Sequence, residues 1–318
     1  MPNRKSPKGY PSGHNETVST LALLAVALLA APLLAAAGAA GKARVTILSP
    51  EALAARLGEV TVLDARDGKA FRAGHVPGSQ NVDWKDFTLE RPGAWSYVTG
   101  DPARWGKVPP ADEALAKRLR ELGLSNGRLT VVVGEPGAWG EEGRIAWNLL
   151  YWGARDVALL DGGFAAWRGA VETGAAREPR PGTFRVTEDA ARRVELPALA
   201  AIVKARSRPL LDARTPEEFQ GEKMTGQKRG GHLPGARLVA VKSLNGPDGR
   251  YVNSDELRRL AGPGIDSRVP VTYCTGGVRS ALLAVLLEAR LGIVAQNYDG
   301  SIWEWSARPE LPMTGGAE

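Results

Sequence analysis

From about residue 45 onward, short β-rich runs alternate with stretches of helical period, the pattern of a parallel sheet flanked by helices. Thr130–Val133 and Leu210-Leu211 read as buried strands. Thr215-Pro216-Glu217-Glu218 reads as a helix start, with a capping hydroxyl, a proline in the first turn and a capping-box glutamate. Val269–Tyr273 predicts another buried strand, Ala281–Arg290 a helix stopped by Gly292, and Ile293–Tyr298 a last strand. The apolar run Leu21–Ala37 belongs to a different class. It follows Arg4, Lys5 and Lys8 and precedes small residues up to Ala40, so residues 1–41 are expected to be an export signal or, if uncleaved, an N-terminal anchor.

The body repeats itself in order. Leu63-Asp64-Ala65-Arg66 returns as Leu211-Asp212-Ala213-Arg214, and Gly74-His75-Val76-Pro77-Gly78 as Gly231-His232-Leu233-Pro234-Gly235. Val131–Val133 answers Val271–Tyr273, and Asp161-Gly162 with Trp167 answers Asp299-Gly300 with Trp305. Four landmarks in one order imply two copies of one domain, expected at 45–174 and 189–315 and joined by a linker at 175–188 that carries Pro179 and Pro181. At 318 residues the chain has room for both, each with its own core.

Charge narrows the partners. The formal net charge is +6, spread rather than gathered into a stripe, which argues against a nucleic-acid footprint and is compatible with a small anionic substrate. A single cysteine, Cys274, excludes an intramolecular disulfide framework and any multi-cysteine zinc site. It is either a buried bystander or the centre of the chemistry.

Its setting favours chemistry. Cys274-Thr275-Gly276-Gly277-Val278-Arg279 lies between a strand and a helix start, where glycines let the chain turn and unpaired N–H groups converge on an anion. Such a helix start and a nearby arginine both lower a thiol's pKa, and the thiolate is the nucleophile. His75 and His232 both sit in the duplicated turn, and the first copy has no cysteine to serve. Their shared role is therefore structural, which disfavours a cysteine–histidine hydrolase.

These segments, with Asp161-Gly162-Gly163-Phe164 and Tyr298-Asp299-Gly300-Ser301 followed by Trp303 and Trp305, resemble those of the tandem-domain rhodaneses. That sulfurtransferase family includes the thiosulfate and 3-mercaptopyruvate sulfurtransferases. The resemblance implies an α/β fold of two rhodanese-like domains, each a central parallel sheet flanked by helices. It implies that Cys274 takes a sulfane sulfur as a persulfide and passes it to a thiophilic acceptor such as cyanide or a thiol, with no metal and no organic cofactor. It makes Arg214 a substrate-binding arginine, beside the loop residues Thr275, Gly276, Gly277, Val278 and Arg279. Four residues separate Cys274 from Arg279, whereas the related cell-cycle phosphatases have five, and the smaller ring suits sulfur transfer.

Two guanidinium groups, Arg214 and Arg279, favour thiosulfate as donor. The glycines of the loop are similar to those of the mercaptopyruvate enzymes, so 3-mercaptopyruvate stays as the alternative, together with a persulfide relay that has little free turnover. Gly134 stands where the first copy would need a cysteine, so that copy is expected to be inactive and to wall the cleft or dock a partner protein; a thiol protein is the macromolecular partner expected of the whole chain. The expected setting is the periplasm or the exterior, or the periplasmic face of the inner membrane if the leader stays as the only membrane contact.

Overall fold

A computed structural model describes residues 44–93, 100–223 and 225–315. The leader expected over residues 1–41 lies outside them, and among the described residues no helix is long and apolar enough to cross a membrane. The described residues make one compact unit.

The first half runs β1 (Val45–Leu48), α1 (Pro50–Ala54), β2 (Thr61–Asp64), α2 (Gly68–Ala73), β3 (Gln80–Asn81), α3 (Pro102–Trp105), α4 (Glu113–Glu121), β4 (Thr130–Val133), α5 (Glu141–Tyr151) and β5 (Val157–Leu160). The second runs α6 (Leu196–Ala205), β6 (Leu210–Asp212), α7 (Pro216–Gln220), β7 (Arg237–Leu238), α8 (Ser254–Ala261), β8 (Val271–Tyr273), α9 (Arg279–Leu291), β9 (Gln296–Asn297) and α10 (Ser301–Ser306). Every strand pair is parallel, in the orders β1-β5-β4-β2-β3 and β7-β6-β8-β9. A lone parallel bridge from Arg193 to Asn297 takes the place of β1 in the second sheet, so the two halves share one topology.

Local rules explain the elements that position the site. Thr215 caps α7, its hydroxyl accepting from the Glu218 N–H at 3.3 Å while the Glu218 carboxylate accepts from the Thr215 N–H at 3.0 Å, with Pro216 in the first turn. Helix α9 is buried on nearly every face from Arg279 to Glu288 and ends on Gly292 at φ +70°. Two strands are shorter than their apolar runs. β8 begins at Val271 because Pro270 has no N–H to donate and Val269 is 48% exposed; β9 keeps only Gln296 and Asn297 of the run from Ile293.

The halves interlock rather than merely adjoin. Helix α5 crosses α9 so closely that a Cβ on Gly143 would lie 2.3 Å from the Leu282 Cα, and the largest apolar cluster takes side chains from both halves. The duplicated aspartates clasp the seam reciprocally. Asp161 accepts from the Tyr251 N–H at 3.0 Å, and Asp299 from the Val108 N–H at 2.9 Å. Residues 175–188 form neither helix nor strand, but Gly182 and Phe184 donate to the Arg120 and Leu124 carbonyls at 2.7 and 3.1 Å, which fastens this connection to the first half.

Candidate active site

The duplicated motifs build a scaffold on which one loop sits. In each half the motif arginine turns back on its own aspartate: Arg66 binds Asp64 at 2.6 Å and the Gly74 carbonyl at 2.7 Å, and Arg214 binds Asp212 at 2.7 Å and the Gly231 carbonyl at 2.8 Å. His75 and His232 each stack on a phenylalanine, Phe71 or Phe219, and place Nδ1 at 3.0 or 2.9 Å from its carbonyl. The arginine thus ties the strand exit to the Gly-His turn and the histidine ties the intervening helix to it, in both halves, as expected for the histidines.

The loop after β8 is held from behind. Cys274 donates its N–H to the Ser301 hydroxyl at 3.1 Å, and its carbonyl and that of Thr275 accept from Ile302 and Trp303 at 3.1 and 3.0 Å. Ser301 holds this position at φ +50°, a conformation rare for a residue with a side chain. A Cβ on Gly276 would meet the Trp303 ring at 2.1 Å, so only glycine fits there. Gly277, at φ +76°, turns its carbonyl away to accept from Asn297 at 3.2 Å and from Arg144 of the first half at 3.1 Å. Burial pulls the Arg144 guanidinium down to about 10, and its second amino group donates to the Gly106 carbonyl at 2.6 Å.

Cys274 is 1% exposed. Burial alone would push its thiol up, but the Arg279 charge, the Ser280 N–H and hydroxyl and the Gly276 N–H together hold it below the ordinary thiol range. Arg279 is buried too, and it does not face the cleft freely. It donates to both oxygens of Glu218, at 2.6 and 3.0 Å, and to the Thr275 hydroxyl, which itself donates to Glu218 at 2.9 Å. Burial would raise the Glu218 carboxyl, yet these bonds and the arginine charge hold it down at about 2. The indole of Trp139 covers the guanidinium at 4.9 Å.

Cys274, Thr275, Gly276, Val278 and Arg279 line one cavity of about 290 Å³ with Glu218, Thr225 and Trp303. The first half contributes Trp84, Lys85, Trp139 and Glu141 to the same lining. Gly277 and Arg214 are not part of the lining. Arg214 is 0% exposed inside its bracket with Asp212, and Arg66 repeats that bracket where there is no cysteine. Sequence reasoning missed Glu218, Ser280, Ser301 and Arg144. The capping box did mark Glu218, but only as a helix signal.

The first half keeps the shell of an equivalent site with different contents. Gly134 occupies the strand end matching Cys274, and the loop to α5 is two residues longer than the loop to α9. A Cβ on Gly134 would lie 2.4 Å from the Glu142 Oε2, so this carboxyl fills the space a cysteine side chain would need. Tyr251 donates to Glu142 Oε1 at 3.0 Å, while Oε2 has no partner among the described residues. Burial pushes the Glu142 carboxyl up to about 7. Its folded pKa thus exceeds the unfolded value near 4.5, so the stability it contributes is complete below pH 4.5 and is lost as pH rises through 7. Glu142→Gln is expected to abolish this loss, worth about 3 kcal/mol, so urea melts should show the variant gaining on the parent between pH 5 and pH 8.

Two parallel α/β halves, one bearing a thiol in a strand-to-helix loop and the other lacking it, define a tandem protein with one candidate centre. A family model described as a rhodanese-like domain matches residues 49–170 and again 196–308. The chain belongs to the rhodanese family of sulfurtransferases, as a two-domain member. It is 31% identical over 278 residues to the sulfur carrier protein TtuD of Thermus thermophilus, covering 82% of this chain and 92% of that one. It is 30% identical over 288 residues to the thiosulfate sulfurtransferase of Corynebacterium glutamicum, covering 85% and 90%. Among solved structures it is similar to SseA of Escherichia coli, presented as a 3-mercaptopyruvate sulfotransferase, with a TM-score of 0.66, 24% identity and coverage of 80% and 98%. That last likeness shows the shared fold.

Proposed function

We propose that the protein moves a sulfane sulfur from thiosulfate to a thiophilic acceptor through a persulfide on Cys274. The observation that carries this reading is the buried thiol, held below its ordinary range by Arg279, Ser280 and the Gly276 N–H at the floor of a cavity. The thiolate attacks the outer sulfur of thiosulfate; the sulfur–sulfur bond breaks and sulfite leaves with the electron pair. Cyanide or a thiolate then attacks the outer persulfide sulfur, and the Cys274 thiolate returns. The N–H groups of Thr275, Gly277 and Val278 have no acceptor among the described residues, and with the start of α9 they favour negative charge on either sulfur. No step calls for a metal or an organic cofactor.

A second reading draws on the carrier name of the Thermus relative: the persulfide would pass to a partner thiol protein, with slow turnover of small acceptors. The basic and apolar leader supports work in the periplasm or outside the cell, or at the inner membrane if the leader is kept. Steady-state formation of thiocyanate from cyanide, with thiosulfate and 3-mercaptopyruvate compared as donors, tests the reading. Higher kcat/KM with thiosulfate is expected. A clear preference for 3-mercaptopyruvate would replace the donor, and single-turnover transfer without steady-state turnover would favour the relay.

A further inference from the structure

We propose that Lys85, supplied by the domain without a cysteine, anchors the anionic end of the sulfur donor and so selects charged donors at Cys274. This rests on the sulfur-transfer reading for the donor's identity but not for the site itself. Among the described residues the cavity wall carries two cations, Lys85 and Arg279, and two carboxylates, Glu141 and Glu218. Arg279 is consumed within the protein: Glu218 takes two of its hydrogen bonds, Thr275 a third, and Trp139 lies over its face. An anion entering the cavity meets an arginine already neutralised.

Lys85 is in the opposite condition. Its acidic neighbours in sequence are engaged elsewhere, Asp83 with Arg91 at 2.9 Å and Asp86 with Arg91 and, at 3.1 Å, with Arg118. Glu141 turns one oxygen to the Trp139 N–H at 3.0 Å. The Lys85 ammonium makes no ion pair with any described residue, although Glu141 lies within its field. The backbone beneath it is fixed, because the Lys85 N–H donates to Asp83 at 3.0 Å and Phe87, at the end of the same turn, is buried against Trp152. A half-buried, unpaired cation on a fixed base, lining the same cavity of about 290 Å³ as the Cys274 thiol, suits a donor with its sulfur at one end and its charge at the other.

The single cysteine permits a test that does not depend on sulfur transfer. Cys274 can be alkylated with iodoacetate, an anion, and with iodoacetamide, its neutral analogue, and the ratio of the two rates cancels any change in thiolate population. Lys85→Gln is expected to lower the iodoacetate-to-iodoacetamide ratio about tenfold, with Lys85→Arg restoring most of it. In turnover, Lys85→Gln should raise KM for thiosulfate and leave kcat nearly unchanged. An unchanged ratio, or equal loss of both alkylation rates, overturns the assignment. A lowered ratio in a protein that does not turn over any sulfur donor would uphold Lys85 and sink the sulfur-transfer reading instead.

Discussion

Cys274→Ser is expected to lower sulfur transfer by at least roughly a thousandfold while the protein keeps its fold and melting temperature. The hydroxyl is nearly isosteric with the thiol, and the loop around it is fixed by contacts that do not use the sulfur. The Cys274 N–H still finds Ser301, its carbonyl still accepts from Ile302, and Trp303 still closes on Gly276. A serine hydroxyl is not ionised by Arg279 and Ser280 to any useful degree, and oxygen does not form the sulfur–sulfur bond that holds the cargo. Gly134 offers no replacement, because Glu142 fills the matching space in the first half. Retention of substantial transfer by this variant, measured as thiocyanate formed, would show that the reaction does not pass through Cys274.

Arg279→Ala should damage stability and reactivity by separate routes. It strands the Glu218 carboxylate, which is 2% exposed and accepts both guanidinium bonds, and breaking such a pair costs about 3–5 kcal/mol. It also removes the largest force lowering the Cys274 thiol, so the pH profile of alkylation should move to higher pH and kcat/KM at neutral pH should fall roughly 10- to 100-fold. The double variant Glu218→Gln/Arg279→Ala separates the two. Stability should largely return, since no charge is left buried, whereas the alkylation profile should stay at high pH. The same pair shapes acid unfolding. With the folded Glu218 held at about 2 against an unfolded value near 4.5, its stabilisation is present above pH 4.5 and is lost as pH falls toward 2. Arg279→Ala should flatten that limb in chemical denaturation at pH 3–6.

The duplication and the cysteine loop are legible in the sequence because they are local. Thr215, Pro216 and Glu218 announce the start of α7 within four residues, and Gly292 announces the end of α9. The roles of the arginines are harder to read. His75 and His232 declare themselves structural because the first copy has no cysteine to serve, whereas nothing in the repeat of Arg66 as Arg214 announces that Arg214 lies buried in a bracket with Asp212. Arg144 and Lys85 lie more than a hundred residues from Cys274 in sequence, and only the close crossing of α5 on α9 brings their half to the cleft. Glu142 is hidden for a related reason: the loop of the first half is longer, so no residue-by-residue match to the cysteine loop would set that carboxyl against Gly134.

The claim that Cys274 carries the transferable sulfur is tested most directly by intact-protein mass spectrometry after thiosulfate treatment, followed by cyanide. The wild-type chain should gain the mass of one sulfur atom, fragmentation should place it on Cys274, and cyanide should remove it with release of one equivalent of thiocyanate. A chain that turns over thiosulfate with no added sulfur on Cys274, or with the sulfur on another residue, would contradict it.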